Sequence, residues 1–115
     1  MSRNGPNAED VNDRVKLLFH RLIARRLGHD PSLVELARQE LASQRRDLDD
    51  RECFREWEKL LNLDVATLRR EIVRRDERMS WLRINSPLGP LINVGDPMLR
   101  KRVWRTARRA LASRV

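Results

Sequence analysis

The sequence predicts an all-α fold: a compact bundle of four to six helices with a basic amphipathic C-terminal helix. Three observations carry this. Apolar residues recur at spacings of three and four in segment after segment, which is the helical period. No segment alternates apolar and polar residues as a half-buried strand does. Leu, Ala, Arg and Glu dominate, all good helix formers, and aromatic residues make up only 4%.

The first helix is expected over residues 9–27, with Val11, Val15, Leu18, Phe19, Leu22, Ile23 and Leu27 as its stripe. Lys16, Arg21, Arg25 and Arg26 fall mostly off that stripe. Gly28 then stands where a helix commonly stops, after arginines that suit the negative end of the dipole. Asp30-Pro31 opens a second helix with an N-cap and a proline in the first turn. Leu33, Val34, Ala37 and Leu41 form its buried face, and polar Ser43 to Asp49 ends it. A third helix, Asp50 to Leu61, buries Cys53, Phe54, Trp57, Leu60 and Leu61. Asp64 caps a fourth with Val65, Leu68, Ile72 and Val73. Residues 76–84 either extend it or form a short helix of their own.

Residues 85–96, NSPLGPLINVGD, hold two prolines and two glycines, so no helix runs through them. Leu88, Leu91, Ile92 and Val94 make the segment apolar, as a loop packing over a core would be. Asp96-Pro97 repeats the cap-and-proline signal. In the last helix Leu99, Val103, Trp104, Ala107, Ala110 and Leu111 share one side, and Lys101, Arg102, Arg105, Arg108 and Arg109 the other. Residues 1–8 read as a flexible arm and 9–115 as one helical domain, the first two helices forming an αα-hairpin.

Charge is the strongest functional signal. Residues 97–115 hold seven basic residues and no acidic one, whereas residues 1–96 hold 18 basic against 17 acidic. A helix face of one sign implies a polyanionic or acidic partner. The expected contacts are Lys101, Arg102, Arg105, Arg108 and Arg109, with Trp104 at the edge of the stripe to stack on a base or anchor an interface. A second candidate is a degenerate helix-turn-helix at residues 20–43. In it Ala24 lets two helices cross, Gly28 makes the turn, Ser32 belongs to the DPSLV stretch that follows and Arg38 is the second helix's main cation. Glu35, Gln39 and Glu40 lie exposed on the same helix, where the two carboxylates repel a phosphate backbone, and an ordinary αα-hairpin uses the same small residues.

The sequence points away from catalysis. His20 and His29 are the only histidines and Cys53 the only cysteine. Metal ligation, a cofactor and an internal disulfide are therefore not expected. A Cys53–His20 pair would need the first and third helices to touch, and Cys53 beside Phe54 and Trp57 reads as a packed thiol. Glu56, Glu58, Glu71 and Glu77 read as partners in surface ion pairs. A lone cysteine, no apolar run of membrane length and no apolar leader region imply a reducing, cytoplasmic setting and no membrane partner.

Several short stretches carry a loose family resemblance. They are FHRLIARRL at 19–27, DPSLV at 30–34, REWEKLL at 55–61, SPLG at 86–89 and VWR at 103–105. In this order they resemble small bacterial helical proteins of two-gene operons, antitoxin-like or accessory partners. The resemblance implies a non-enzymatic protein that binds and neutralises a toxin and represses its own operon. The chain departs from that pattern in having strong helix character at its C-terminal end rather than a disordered tail. The functional expectation is a binding protein docking its basic helix on an acidic or nucleic-acid-binding protein partner. The alternative is a nucleic-acid-binding transcriptional regulator acting on DNA or RNA, and a homodimer is open to either.

Overall fold

The computed structural model describes residues 8–47 and 51–112. Six α-helices follow in order: α1 Ala8–His29, α2 Val34–Asp47, α3 Glu52–Leu61, α4 Val65–Glu71, α5 Glu77–Arg83 and α6 Pro97–Ala112. Short 3-10 turns at Pro31–Leu33 and Gly89–Leu91 interrupt the connections, and no strand occurs among the described residues. The expected arm lies outside them apart from Ala8.

Aspartates cap the starts of α4, α5 and α6 and of the turn that leads into α2. Asp30 accepts from the Ser32 N–H, Asp64 from the Thr67 N–H at 3.0 Å, Asp76 from the Met79 N–H at 2.8 Å and Asp96 from the Met98 N–H at 2.9 Å. Each satisfies a donor that the first helical turn leaves without an intrahelical partner. The Asp76 cap shows that residues 77–83 form a helix of their own rather than an extension of α4.

The core is continuous around α1 and α3. Ile23, Ala24 and Leu27 of α1 meet Ala37 and Leu41 of α2, Phe54, Trp57 and Leu61 of α3, and Leu68 and Ile72. Leu88, Leu91 and Ile92 close the same cluster, so the segment 85–96 packs over the core, although Val94 is exposed. A second cluster joins Val11 and Val15 of α1 to Val103 and Ala107 of α6, with Leu99, Trp104 and Leu111 at its margin.

Three local expectations are corrected. Gly28 is not a left-handed stop: α1 runs on through it to His29, and no described glycine has positive φ. A Cβ at Gly28 would stand 2.7 Å from the Arg69 guanidinium, whose Nε donates to the Ala24 carbonyl at 2.7 Å. The glycine leaves room for α4's arginine to lie across α1. The polar stretch from Ser43 does not end α2, which stays helical to Asp47, so propensity outlasts the apolar stripe; residues 48–50 lie outside the described residues. Lastly, α1 and α2 do not make a closely packed hairpin. The chief neighbours of α1 are α6 and α4, and those of α2 are α3 and the turn at Gly89–Leu91.

Candidate polyanion interface

α6 is two-sided as its sequence requires. Val103 and Ala107 are buried against α1, with Leu99, Trp104, Ala110 and Leu111 half-buried. Arg100, Lys101, Arg102, Arg105, Arg108 and Arg109 are all exposed. Among the described residues none of these six forms an ion pair. Arg108 instead lies over the Trp104 ring, 5.9 Å from its centroid. The indole is therefore held by the second cluster on one side and a guanidinium on the other. It is a packing group at the edge of the face rather than a free platform.

The chain's own ion pairs lie elsewhere. Arg78 bridges Glu52 at 3.3 Å and Glu56 at 3.1 Å; Arg74 bridges Glu71 at 3.2 Å and Asp76 at 2.8 Å. Lys59 pairs with Glu56 at 3.2 Å, Arg45 with Glu58 at 3.3 Å and Arg38 with Glu35 at 3.8 Å. Of the four glutamates expected in such pairs, Glu56, Glu58 and Glu71 are found there, while Glu77 has no partner among the described residues. The bonds from Arg78 and then Lys59 hold the Glu56 carboxyl below the usual range, and the Met79 N–H and Arg74 do the same for Asp76. The ion pairs thus cluster around α2, α3 and α5, and among the described residues none lies on α6.

The unmatched surface is wider than α6. A groove of about 430 Å³ between α1 and α6 is lined by Leu18, Arg21, Leu22, Arg25, Leu99, Arg102, Val103 and Thr106. A second, of about 480 Å³ between α1 and α4, is lined by Arg21, Ala24, Arg25, Ala66, Arg69, Arg70 and Val73. No carboxylate lines either, and Arg21 and Arg25 form the wall common to both. Arginines at i and i+4 repel one another, so Arg21 and Arg25, off the apolar stripe, were the local signal for this ridge. Nothing local places Arg69 and Arg70 beside it, because α4 reaches α1 only through the tertiary fold.

The four helix-turn-helix candidates are scattered among other tasks. Ala24 is buried with its carbonyl taking the Arg69 bond, Gly28 lies beneath the same guanidinium, and Ser32 donates its hydroxyl to Asp30. Arg38 donates to the Leu61 carbonyl at 3.0 Å besides pairing with Glu35, so α2's main cation is tied to the end of α3.

His20 is drawn into the core. Its Nδ1 donates to the Lys16 carbonyl at 2.7 Å, its Nε2 accepts from the Ser86 hydroxyl at 2.8 Å, and its ring stacks on Trp57 with centroids 6.4 Å apart. With both nitrogens so occupied, the imidazole does not serve Cys53, which is buried with a free thiol. Burial lowers the His20 pKa to about 4, with the Arg83 and Lys16 charges adding to it and the Lys16 carbonyl opposing. Ser86 also accepts from the Leu88 N–H at 3.1 Å, so the pair pins the start of segment 85–96 to α1. Among the described residues no group of three or more histidines, cysteines and carboxylates stands together as a metal site would, and no helix is long and apolar enough to cross a membrane. No family model, curated protein or solved structure matches the chain.

Proposed function

We propose that this protein is a nucleic-acid-binding protein that lays its arginine face, α6 foremost, on the phosphate backbone. The observation that carries this reading is the row of α6 cations without a carboxylate partner among the described residues, while Arg38, Arg45, Lys59, Arg74 and Arg78 each lie in an ion pair. Protein interfaces draw their energy from buried aromatic and aliphatic anchors. The outer face of α6 offers Met98 alone among its exposed large apolar residues, and Trp104 is already packed. Phosphates need only cations at the right spacing.

Fluorescence anisotropy of a labelled 20-bp DNA duplex tests the reading. The native protein binds at 50 mM salt, and log K against log salt falls with a slope of several units, about 0.9 for each phosphate neutralised. Absence of binding at 50 mM salt to both this duplex and a 20-nucleotide single strand contradicts it.

The antitoxin-like reading, a protein partner, is favoured by a different observation. Trp81 and Ile84 are exposed one helical turn apart, with the Arg78 guanidinium 5.3 Å from the Trp81 ring. Trp and Arg are the commonest anchors of protein interfaces. Co-purification with the product of an adjacent gene that survives moderate salt is the mark of that reading.

A further inference from the structure

We infer that the ridge formed by Arg21 and Arg25 on α1 and the flanking Arg69 and Arg70 on α4 form, with α6, one duplex-binding surface. The phosphates of one strand lie on α6 and those of the other on the α1–α4 side. This inference rests on the nucleic-acid reading above and names the form of ligand and the second contact row.

Continuity comes first. Arg102 of α6 faces Arg21 and Arg25 across the first groove, and these face Arg69 and Arg70 across the second. Charge comes second. Among the described residues none of these five arginines pairs with a carboxylate. Arg69 spends its Nε on the Ala24 carbonyl and Arg70 one Nη on the Thr67 hydroxyl at 3.3 Å, which orients both; Asp64 stands near enough to Arg70 to feel its charge, but among the described residues no carboxylate bonds to either guanidinium.

Breadth comes third. Packed helices stand about 8–10 Å apart, so rows on α6 and α4, which flank α1, stand up to about 16–20 Å apart. A single phosphodiester backbone follows one row, whereas a duplex presents two backbones bordering a groove about 12 Å wide. Composition comes last. Single strands are held by stacking on exposed aromatic rings, and neither groove is lined by an aromatic side chain. The surface is built for two backbones and not for unstacked bases.

The test compares a labelled 20-bp DNA duplex with a 20-nucleotide single strand, using native protein, Arg21→Gln/Arg25→Gln and Arg70→Gln. All three positions are exposed and none belongs to the core, so melting temperature and helicity stay native. Each phosphate that is no longer neutralised lowers the salt slope by about one unit. The double variant is therefore expected to lose about two units on the duplex and Arg70→Gln about one, with the native protein preferring duplex to single strand. An unchanged slope in both variants, while the native protein still binds duplex, overturns the second row and leaves the reading of α6 standing. Equal or tighter binding of the single strand overturns the duplex assignment. No binding of either nucleic acid by the native protein overturns both.

Discussion

Trp57→Ala is expected to destabilise the protein by about 3–5 kcal/mol. The indole is fully buried at the centre of the larger cluster, stacks on His20, and donates its Nε1–H to the Leu82 carbonyl at 2.8 Å. Truncation empties the space where α1, α3 and α5 meet and removes the bond that joins α3 to α5. A domain of this size holds about 5–15 kcal/mol in all, so the variant stands at the edge of unfolding. Urea denaturation followed by circular dichroism measures the loss. Trp57→Phe separates the two contributions: it keeps most of the apolar volume and forfeits the hydrogen bond, at about 0.5–1.5 kcal/mol because the Leu82 carbonyl still accepts from the Asn85 N–H. A Trp57→Ala protein with a native urea midpoint contradicts this account of the core.

Acid is expected to weaken the fold through His20, by about 3 kcal/mol between pH 7 and pH 4. The imidazole titrates at about 4 in the folded chain against an ordinary value of 6.5. Between those values the unfolded chain takes up a proton that the folded chain refuses, so stability rises with pH across this window and is lost as pH falls through it. The physical cause is burial, with Arg83 and Lys16 as nearby positive charges. The lowered carboxylates Glu56, Asp64 and Asp76 act in the same direction, but they enter only at the acid end of the histidine window, as pH falls through the ordinary carboxylate range. Urea midpoints of the native protein and of His20→Gln, taken at half-unit steps from pH 7 to pH 4, isolate the histidine. The native protein loses stability steeply over this span, and the variant, less stable at pH 7, shows a shallower dependence. Parallel curves contradict the assignment.

The helices and their caps were legible in the sequence because both are local. Asp30, Asp64 and Asp96 each announce a helix within three residues, and the two-sidedness of α6 follows from a period of 3.6. What failed to show was whatever depends on distant parts of the chain. Gly28 reads as a stop until Arg69, far along the chain, is found lying over it. His20 reads as one more polar residue among basic neighbours until Ser86, 66 residues away, is placed against it. A buried polar group is legible only through its partner, and the partner belongs to the fold. The same holds for the candidate surface: α6 could be read from its own sequence, whereas the ridge of Arg21 and Arg25 gains meaning only when α6 and α4 are packed on either side.

The most direct test of the proposed surface is the triple variant Arg102→Glu/Arg105→Glu/Arg109→Glu, titrated by anisotropy with the labelled 20-bp duplex at 50 mM salt. These side chains are exposed and engage no carboxylate among the described residues, so helicity and melting temperature should match the native protein. The expected result is loss of measurable duplex binding by a folded protein. Native affinity and salt dependence in that folded variant would mean that the cations of α6 merely keep the chain soluble.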